Sequence, residues 1–208
     1  MPAAGRDLLD EFADRIAGWE WDVALLQEVP PWWPGPLARA AGASHTSALT
    51  SRNELLPLRR ALARRWPDLM KSNGGGANAI LSRRGLAAPR AIRLRRLPER
   101  RVLQLARLPD GTCVANMHLS TRPPLARVEL EHAWELALEW SGPASLVFGG
   151  DLNLRDPRAP AGAVHAAARD VDHVFARGLE QDGAPARPER GALSDHAALL
   201  VTLRAPAG

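Results

Sequence analysis

Five short apolar runs of the sequence end in side chains that can transfer protons or bind a metal. Residues two positions apart on a strand face the same way, which pairs Asn116 with His118 and Asp151 with Asn153. A carboxylate buried without a partner is costly, so such strand ends either meet in one polar cavity or are separate strand caps and turn residues. Spacing alone leaves both alternatives open. The side chains concerned are Glu28, Asn116, His118, Asp151, Asn153, Asp172, Asp195 and His196.

The elements that must position these residues alternate between helices and strands. Apolar residues at helical spacing predict helices over 6–18, 31–41, 55–65 and 124–140. Continuous or alternating apolar runs predict strands over 22–27, 77–82, 90–96, 101–108, 112–119, 145–149, 171–176 and 197–203. Residues 154–170 are predicted to be loop. This order is typical of sheets covered by helices, and without a repeat or a linker we expect a single domain over residues 1–208.

The composition narrows the class of protein. A chain of 208 residues with 46% hydrophobic residues can bury one substantial core. No apolar run is long enough to cross a membrane, and no apolar signal core follows Met1, so we expect a cytoplasmic protein. Cys113 is the only cysteine. An internal disulfide is therefore impossible, and we expect Cys113 to be a small buried side chain.

Arginine carries nearly all of the positive charge, and the formal net charge is +4. Residues 83–107 contain nine arginines against the single carboxylate of Glu99. Guanidinium groups fit phosphate oxygens, so this segment could follow a nucleic-acid backbone. It could equally face solvent beside the acidic helix predicted at 124–140, and a genome rich in G and C would give the same arginine bias. The charge alone does not identify a partner.

The residues at the strand ends form motifs that resemble those of the endonuclease/exonuclease/phosphatase family. The resemblance extends over residues 6–204, and members of that family include DNase I-like nucleases, abasic-site endonucleases, sphingomyelinases and inositol polyphosphate phosphatases. It implies an α/β (α+β) fold, the four-layer α/β/β/α sandwich of DNase I-like proteins, and hydrolysis of a phosphoester by in-line attack of water. The motifs, in the family's order, are Leu-Gln-Glu at 26–28, Ala-Ile-Leu-Ser-Arg at 79–83, Asn-Met-His at 116–118, Gly-Asp-Leu-Asn at 150–153, Asp172, and Ser-Asp-His at 194–196.

The resemblance also implies a metal site and an activated histidine. Glu28 resembles the main ligand of a divalent ion and Asp195 a second contributor, with Mg²⁺ or Mn²⁺ expected because oxygen ligands suit these cations. The chain has no Cys/His cluster with zinc spacing. His196 resembles either a general base or an electrostatic clamp on the scissile phosphate, with Asp172 accepting its other ring N–H.

The remaining motif residues resemble groups that handle water and phosphate. Asp151 resembles the residue that orients the attacking water, and the residues alone do not decide whether Asp151 or His196 removes its proton. Asn153 and Asn116 are expected to donate amide N–H groups to phosphoryl oxygens. His118 resembles a histidine that contacts the phosphate and protonates the leaving oxygen.

Several other polar residues receive structural interpretations. His173 should face away from Asp172 on a strand, and Gln27 should make hydrogen bonds at a strand end. Asn78 is interpreted either as a site residue or as a turn residue. His45, His132 and His165 carry no motif, and we expect them to be surface or packing residues.

One element of the resemblance is missing. The family begins with an internal strand that ends in an asparagine near the metal, whereas residues 1–5 contain neither an apolar run nor an asparagine. We expect the native start to lie upstream of Met1, which would also make the expected localisation provisional. The alternative is a truncated form with weak metal binding, in which strands beside the gap keep unpaired edges.

The substrate is the part that the sequence leaves most open. A phosphodiesterase or nuclease is the first interpretation, with nucleic acid among the expected partners. The alternatives are a phosphatase acting on an inositol phosphate, a nucleotide or a lipid head group, and a catalytically weak binding form. Trp32, Trp33 and Trp66 could stack on bases or serve packing. No Gly-x-Ser-x-Gly motif supports a serine hydrolase, and we expect a monomer.

Overall fold

The computed structural model describes residues 7–50, 56–65, 76–97 and 99–207. Within these ranges the chain forms four helices and eleven strands. The helices are α1 (Leu9–Gly18), α2 (Pro34–Ala40), α3 (Leu56–Arg65) and α4 (Pro123–Ser141). The strands are β1 (Val23–Val29), β2 (Ser44–Leu49), β3 (Ala77–Ser82), β4 (Ala87–Arg95), β5 (Arg101–Arg107), β6 (Cys113–His118), β7 (Leu146–Asp151), β8 (Val164–Arg169), β9 (Asp172–Arg177), β10 (Glu180–Ala186) and β11 (Leu200–Arg204).

The larger sheet has six strands in the order β4-β5-β6-β7-β9-β8. Its strands run antiparallel to their neighbours except β6 and β7, which are parallel. A parallel pair needs a crossover connection, and α4 supplies it. Residues of α4 at helical spacing, including Leu130 and Trp134, are buried against this sheet. Trp134 contacts Phe148 of β7 edge to face, with ring centroids 5.5 Å apart.

The second sheet has three antiparallel strands in the order β1-β3-β2. Every residue of the central strand β3 is buried, because helices cover one face and the larger sheet covers the other. On the helical side, Ile16 of α1 and Leu37 of α2 pack with Trp33 and Leu81. On the other side, Ile80 packs with residues of the larger sheet. The layers are therefore helix, sheet, sheet and helix, the order that the resemblance implies.

The pair β10-β11 forms a third, two-stranded sheet. Among the described residues β1 pairs only with β3 and β11 pairs only with β10, so each of these strands has one edge without a neighbouring strand. A groove of about 1090 Å³ lies between them. Its walls include apolar side chains of both strands, such as Leu26 and Val201.

The structure corrects several predicted elements. Residues 154–170, predicted to be loop, contain β8, and the predicted strand at 197–203 begins only at Leu200. The predictions missed β2 and β10, whose sequences SHTSAL and EQDGAPA offer few apolar residues. The helix predicted over 31–41 begins at Pro34. Leu55, Trp66 and residues 1–5 lie outside the described residues.

Other expectations agree with the structure. The strand predicted over 77–82 has those bounds, and Cys113 is buried. Within the described part of the chain, no helix combines the length and the hydropathy needed to cross a bilayer.

Candidate functional site

The ends of several strands bring the predicted residues to one end of the groove. His118 and Asp151 are the last residues of the parallel strands β6 and β7, and they are partners in the register. Strand β9 runs antiparallel to β7, so its first residue, Asp172, lies opposite Asp151. Glu28 lies near the end of β1, where a bulge shifts the register and its φ is 53°. His196 belongs to the segment just before β11.

Gly150 allows β7 to approach β6 closely enough to aim Asp151. Its φ is 136°, and a Cβ at this position would lie 2.0 Å from the carbonyl oxygen of Met117. That distance is far inside van der Waals contact, so only glycine fits here without moving the backbone. The first position of the Gly-Asp-Leu-Asn motif is therefore glycine because any side chain there would collide with the backbone of β6.

His118 and Asp151 form a buried acid–base pair. The Nε2 atom of His118 lies 3.5 Å from Oδ2 of Asp151, and its Nδ1 lies 3.9 Å from Oε1 of Glu28. Burial raises the pKa of Asp151 above its ordinary value, and burial lowers the pKa of His118. Both directions favour neutral forms. The other oxygen of Asp151, Oδ1, accepts the backbone N–H of Asn153 at 2.9 Å.

Asp172 and His196 form a second, more exposed pair. Nδ1 of His196 lies 2.9 Å from Oδ2 of Asp172, which fixes the ring and leaves Nε2 unengaged by this bond. The hydrogen bond that His196 donates to Asp172 raises the pKa of His196 to about 9, against the opposing effect of burial. His196 is therefore an imidazolium at neutral pH. The predicted role as an electrostatic clamp fits this charge, whereas a general base at neutral pH must be unprotonated.

The carboxylates around these pairs fit a hard divalent cation. One ligand atom from each of Asp151, Asp172 and His196 lies within 4.8 Å of the others. Glu28 and Asp195 line the same groove. The side chain of Asp151 is only 11% exposed and its strand partner is Asp172, so a cation would offset the cost of two neighbouring carboxylates. The sequence predicts Glu28 and Asp195 as the metal ligands, whereas the cluster that the described structure brings together is Asp151, Asp172 and His196, which includes neither of them.

The structure gives Asn116 a different position from the one expected. Its side chain is completely buried, and its amide N–H groups reach the carbonyl oxygens of Leu26 at 3.0 Å and Ala79 at 2.9 Å. Its Oδ1 accepts a hydrogen bond from Gln27 at 2.7 Å. These contacts join the two sheets directly behind Glu28. The expected contact between Asn116 and a phosphoryl oxygen is thus not supported, because both amide hydrogens have partners inside the sandwich.

Asn153 lies nearer to the groove end. Its amide donates to the carbonyl oxygen of Leu119 at 2.9 Å, and its φ is 52°. This hydrogen bond occupies one of its two N–H groups. The other remains consistent with the predicted phosphate contact.

Two interpretations of neighbouring polar residues are now resolved. His173 is buried, with Nε2 2.6 Å from the carbonyl oxygen of Leu154 and Nδ1 3.0 Å from Nε2 of His165, as a structural residue should be. Asn78 lies within β3, so the turn interpretation is wrong. It is fully buried, and its side chain has no hydrogen-bond partner in the described part of the chain.

The basic segment at 83–107 is largely committed to internal contacts. Arg83 donates to the carbonyl oxygens of Ala17 and Trp19, both at 2.9 Å, at the end of α1. Arg95 pairs with Glu129 of α4 at 3.1 Å. Arg101 is buried and pairs with Glu99. These arginines stabilise the fold, so the segment is not one continuous surface for a phosphate backbone.

Sequence reasoning missed a second basic surface beside the site. A cavity of about 690 Å³ adjoins Asp172 and His196. Its arginines come from separate segments and have no common motif, so spacing offered no means of finding them. They are Arg155, Arg169, Arg187 and Arg190.

Comparisons with known proteins agree with this fold. A family model described as Endonuclease/Exonuclease/phosphatase family matches residues 2–196. A search of curated proteins gives no match. TDP2 from Caenorhabditis elegans is similar in structure, with a TM-score of 0.69 and 20% identity over 97% of this chain and 71% of that chain.

Two further solved structures illustrate the likeness. D. rerio TDP2 complexed with single strand DNA product has a TM-score of 0.63 and 16% identity over 95% of this chain and 93% of that chain. The human Nocturnin catalytic domain with bound sulfate anion has a TM-score of 0.66 and 17% identity over 95% of this chain and 87% of that chain. These neighbours share the DNase I-like sandwich, and the predicted fold class is confirmed.

Proposed function

The chain belongs to the endonuclease/exonuclease/phosphatase family of metal-dependent phosphoester hydrolases, and from this premise we propose that it cleaves phosphodiesters, with a nucleic acid as the substrate. The observation that carries the proposal is the pairing at the groove end. A buried pair, His118 with Asp151, faces a hydrogen-bonded pair, His196 with Asp172, in which the His196 ring carries a positive charge. One pair can handle a proton while the other stabilises negative charge.

We assign to Asp151 the role of positioning the attacking water and accepting its proton. Its carboxylate is nearly buried and its pKa is raised by burial, which makes it a stronger base than an exposed aspartate. The backbone N–H of Asn153 fixes one carboxylate oxygen, and Nε2 of His118 lies beside the other. These contacts hold the carboxylate in one orientation, so that a water bound to it has a defined position.

We assign to His196 the role of stabilising the negative charge on the phosphoryl oxygens. Asp172 holds the Nδ1 side of the ring, so a positively charged Nε2–H is available to a phosphate oxygen. Charge increases on these oxygens in the transition state, and a fixed cation stabilises that state more than the ground state. Two further residues complete the site. His118 contacts the phosphate beside Asp151, and Asn153 donates an amide N–H.

A divalent cation would be held by the carboxylates of Glu28, Asp151 and Asp195, and we propose Mg²⁺ or Mn²⁺. When bound, such an ion neutralises phosphate charge and lowers the pKa of coordinated water. Asn116 does not touch the substrate in this proposal. It is a positioning residue that ties the end of β1, and with it Glu28, to β6.

A nucleic acid is preferred over a small phosphoester because the site is open at the surface. The structural neighbour from D. rerio is described in complex with a single strand DNA product. A phosphatase acting on an inositol phosphate, a nucleotide or a lipid head group is the alternative outcome.

The test is hydrolysis of bis(p-nitrophenyl) phosphate and of single-stranded and plasmid DNA with Mg²⁺, Mn²⁺ or EDTA. We expect cleavage of all substrates with metal and none with EDTA. His196→Ala and Asp151→Asn should each lower kcat by about 10²–10³-fold. His132→Ala is the matched control, because His132 is exposed on α4.

Two results would overturn the proposal. Activity that survives chelation would exclude the metal mechanism. Hydrolysis of the small ester without cleavage of either DNA would exclude the nuclease assignment and leave the phosphatase alternative.

A further inference from the structure

The basic cavity of about 690 Å³ beside the catalytic pairs is larger than one phosphate requires. It opens next to Asp172 and His196, and three segments contribute its arginines. Arg155 follows β7, Arg169 ends β8, and Arg187 and Arg190 lie in the connection between β10 and β11. Four guanidinium groups from three segments of the sequence converge on one cavity.

Three of the four arginines form no ion pair with the described residues. Arg155 pairs with Asp170 at 3.0 Å, and both side chains are exposed. Within the described ranges, Arg169, Arg187 and Arg190 have no carboxylate within 4.0 Å. Arg190 donates to the carbonyl oxygen of Gly191 at 2.7 Å, while its Nε is buried without a hydrogen-bond partner. Asp170, Asp172 and Asp195 also line the cavity, so the guanidinium groups exceed the carboxylates by one, and an anion is favoured there.

The scissile phosphate does not account for these arginines. His196 and the proposed metal already face that phosphate, and the cavity lies on the β8 side of the Asp172–His196 pair. Guanidinium groups bind phosphate through paired N–H donors, which gives geometric specificity as well as charge.

We propose that this cavity binds a second phosphate of the substrate, next to the phosphate that is cleaved. The inference rests on the proposed function and specifies its substrate class as phosphodiesters that carry a neighbouring phosphate. A nucleic-acid strand and a small bisphosphate both have this chemistry. A diester without a second phosphate uses the catalytic pairs but not the arginines.

Binding is measured first, because it does not require turnover. Thymidine 3′,5′-bisphosphate and thymidine 5′-monophosphate are titrated calorimetrically into the full chain in EDTA. We expect the bisphosphate to bind about tenfold more tightly, which corresponds to about 1.4 kcal/mol. Arg187→Ala and the double variant Arg169→Ala/Arg187→Ala should remove this preference, and Arg187→Lys should retain part of it.

Kinetics then separate the cavity from the catalytic site. The substrates are bis(p-nitrophenyl) phosphate, the p-nitrophenyl ester of thymidine 5′-phosphate with and without a 3′-phosphate, and a short single-stranded oligonucleotide. Arg187→Ala should raise KM about tenfold for substrates with a second phosphate and leave the kinetics of bis(p-nitrophenyl) phosphate unchanged. Arg93→Ala is the matched control, because Arg93 is exposed on β4 at the opposite edge of the larger sheet.

The outcomes are distinct. Equal binding of the two nucleotides, or an equal loss for all substrates in Arg187→Ala, would overturn the second-phosphate site. Absence of metal-dependent hydrolysis in the native chain would overturn the proposed function, while the calorimetry would still decide whether the arginines select a second phosphate. A preference for the oligonucleotide over the bisphosphate ester, lost in Arg187→Ala, identifies a nucleic-acid strand as the source of that phosphate.

Discussion

Replacing Asp172 by Asn should change the charge of His196 at neutral pH. The hydrogen bond that His196 donates to Asp172 raises the pKa of His196 to about 9, and burial opposes it. Without that carboxylate we expect the pKa to return close to its ordinary value of 6.5. At pH 7.5 the protonated fraction would fall from about 97% to about 9%, a tenfold loss of the cation.

The kinetic consequence depends on pH. If imidazolium is the active form, Asp172→Asn should lower kcat/KM about tenfold more at pH 7.5 than at pH 6, where about three quarters of His196 stays protonated. The alkaline limb of the pH profile should move from near pH 9 toward pH 6.5. The same linkage applies to stability, since the raised pKa stabilises the fold fully below about pH 6.5 and this contribution is lost as the pH rises through about 9.

The assay is NMR titration of the histidine ring nitrogens in EDTA, with His196→Ala to assign the resonance, followed by pH–rate profiles with metal. A native His196 that titrates near 6.5 would refute the reasoning. So would an unchanged titration in Asp172→Asn.

Two further predictions follow from the packing. Asn116→Ala should lower the free energy of unfolding by about 3 kcal/mol, because it leaves buried carbonyl groups without donors, while exposed Gln181→Ala should change it by less than about 0.5 kcal/mol in the same denaturant titration. Gly150→Ala should cost at least about 3 kcal/mol through its contact with Met117 and abolish hydrolysis, whereas Gly18→Ala, with open space around it, should be neutral or stabilising.

Each of these predictions has its own contrary result. If Asn116→Ala left the free energy of unfolding almost unchanged, water would have replaced the hydrogen bonds of the amide. Full activity in Gly150→Ala would mean that β6 and β7 can separate without cost.

The sequence predicted those parts of the fold that local pattern controls. All six residues of β3 are buried, so a continuous apolar run was enough to identify it. Apolar runs that end in polar residues likewise predicted His118 and Asp151 at strand ends. Strand β10 was missed because it is exposed along its whole length and contains Gly183 and Pro185, which are typical of turns.

The contacts of the site residues could be identified only from the folded structure. The motif around Asn116 suggested a phosphate contact, yet its amide bonds to Leu26, 90 residues away in the sequence. The arginine cavity depends in the same way on segments that meet only in the folded chain. The arginine-rich segment 83–107 was the basic surface that the sequence suggested. Its members Arg83 and Arg101 instead make contacts within the fold.

The groove between β1 and β11 connects two features of the molecule. These are the unpaired edges of the two strands and the binding of a metal. Glu28 lies on the β1 side, and Asp195 immediately precedes the segment that leads into β11. In the described part of the chain no strand pairing joins these two sides; Asn116 holds the β1 side to β6, and the His196–Asp172 hydrogen bond holds the segment before β11 to β9. A polypeptide that inserts there and a cation that binds across it would share one coupling free energy, and each would tighten the other by the same factor.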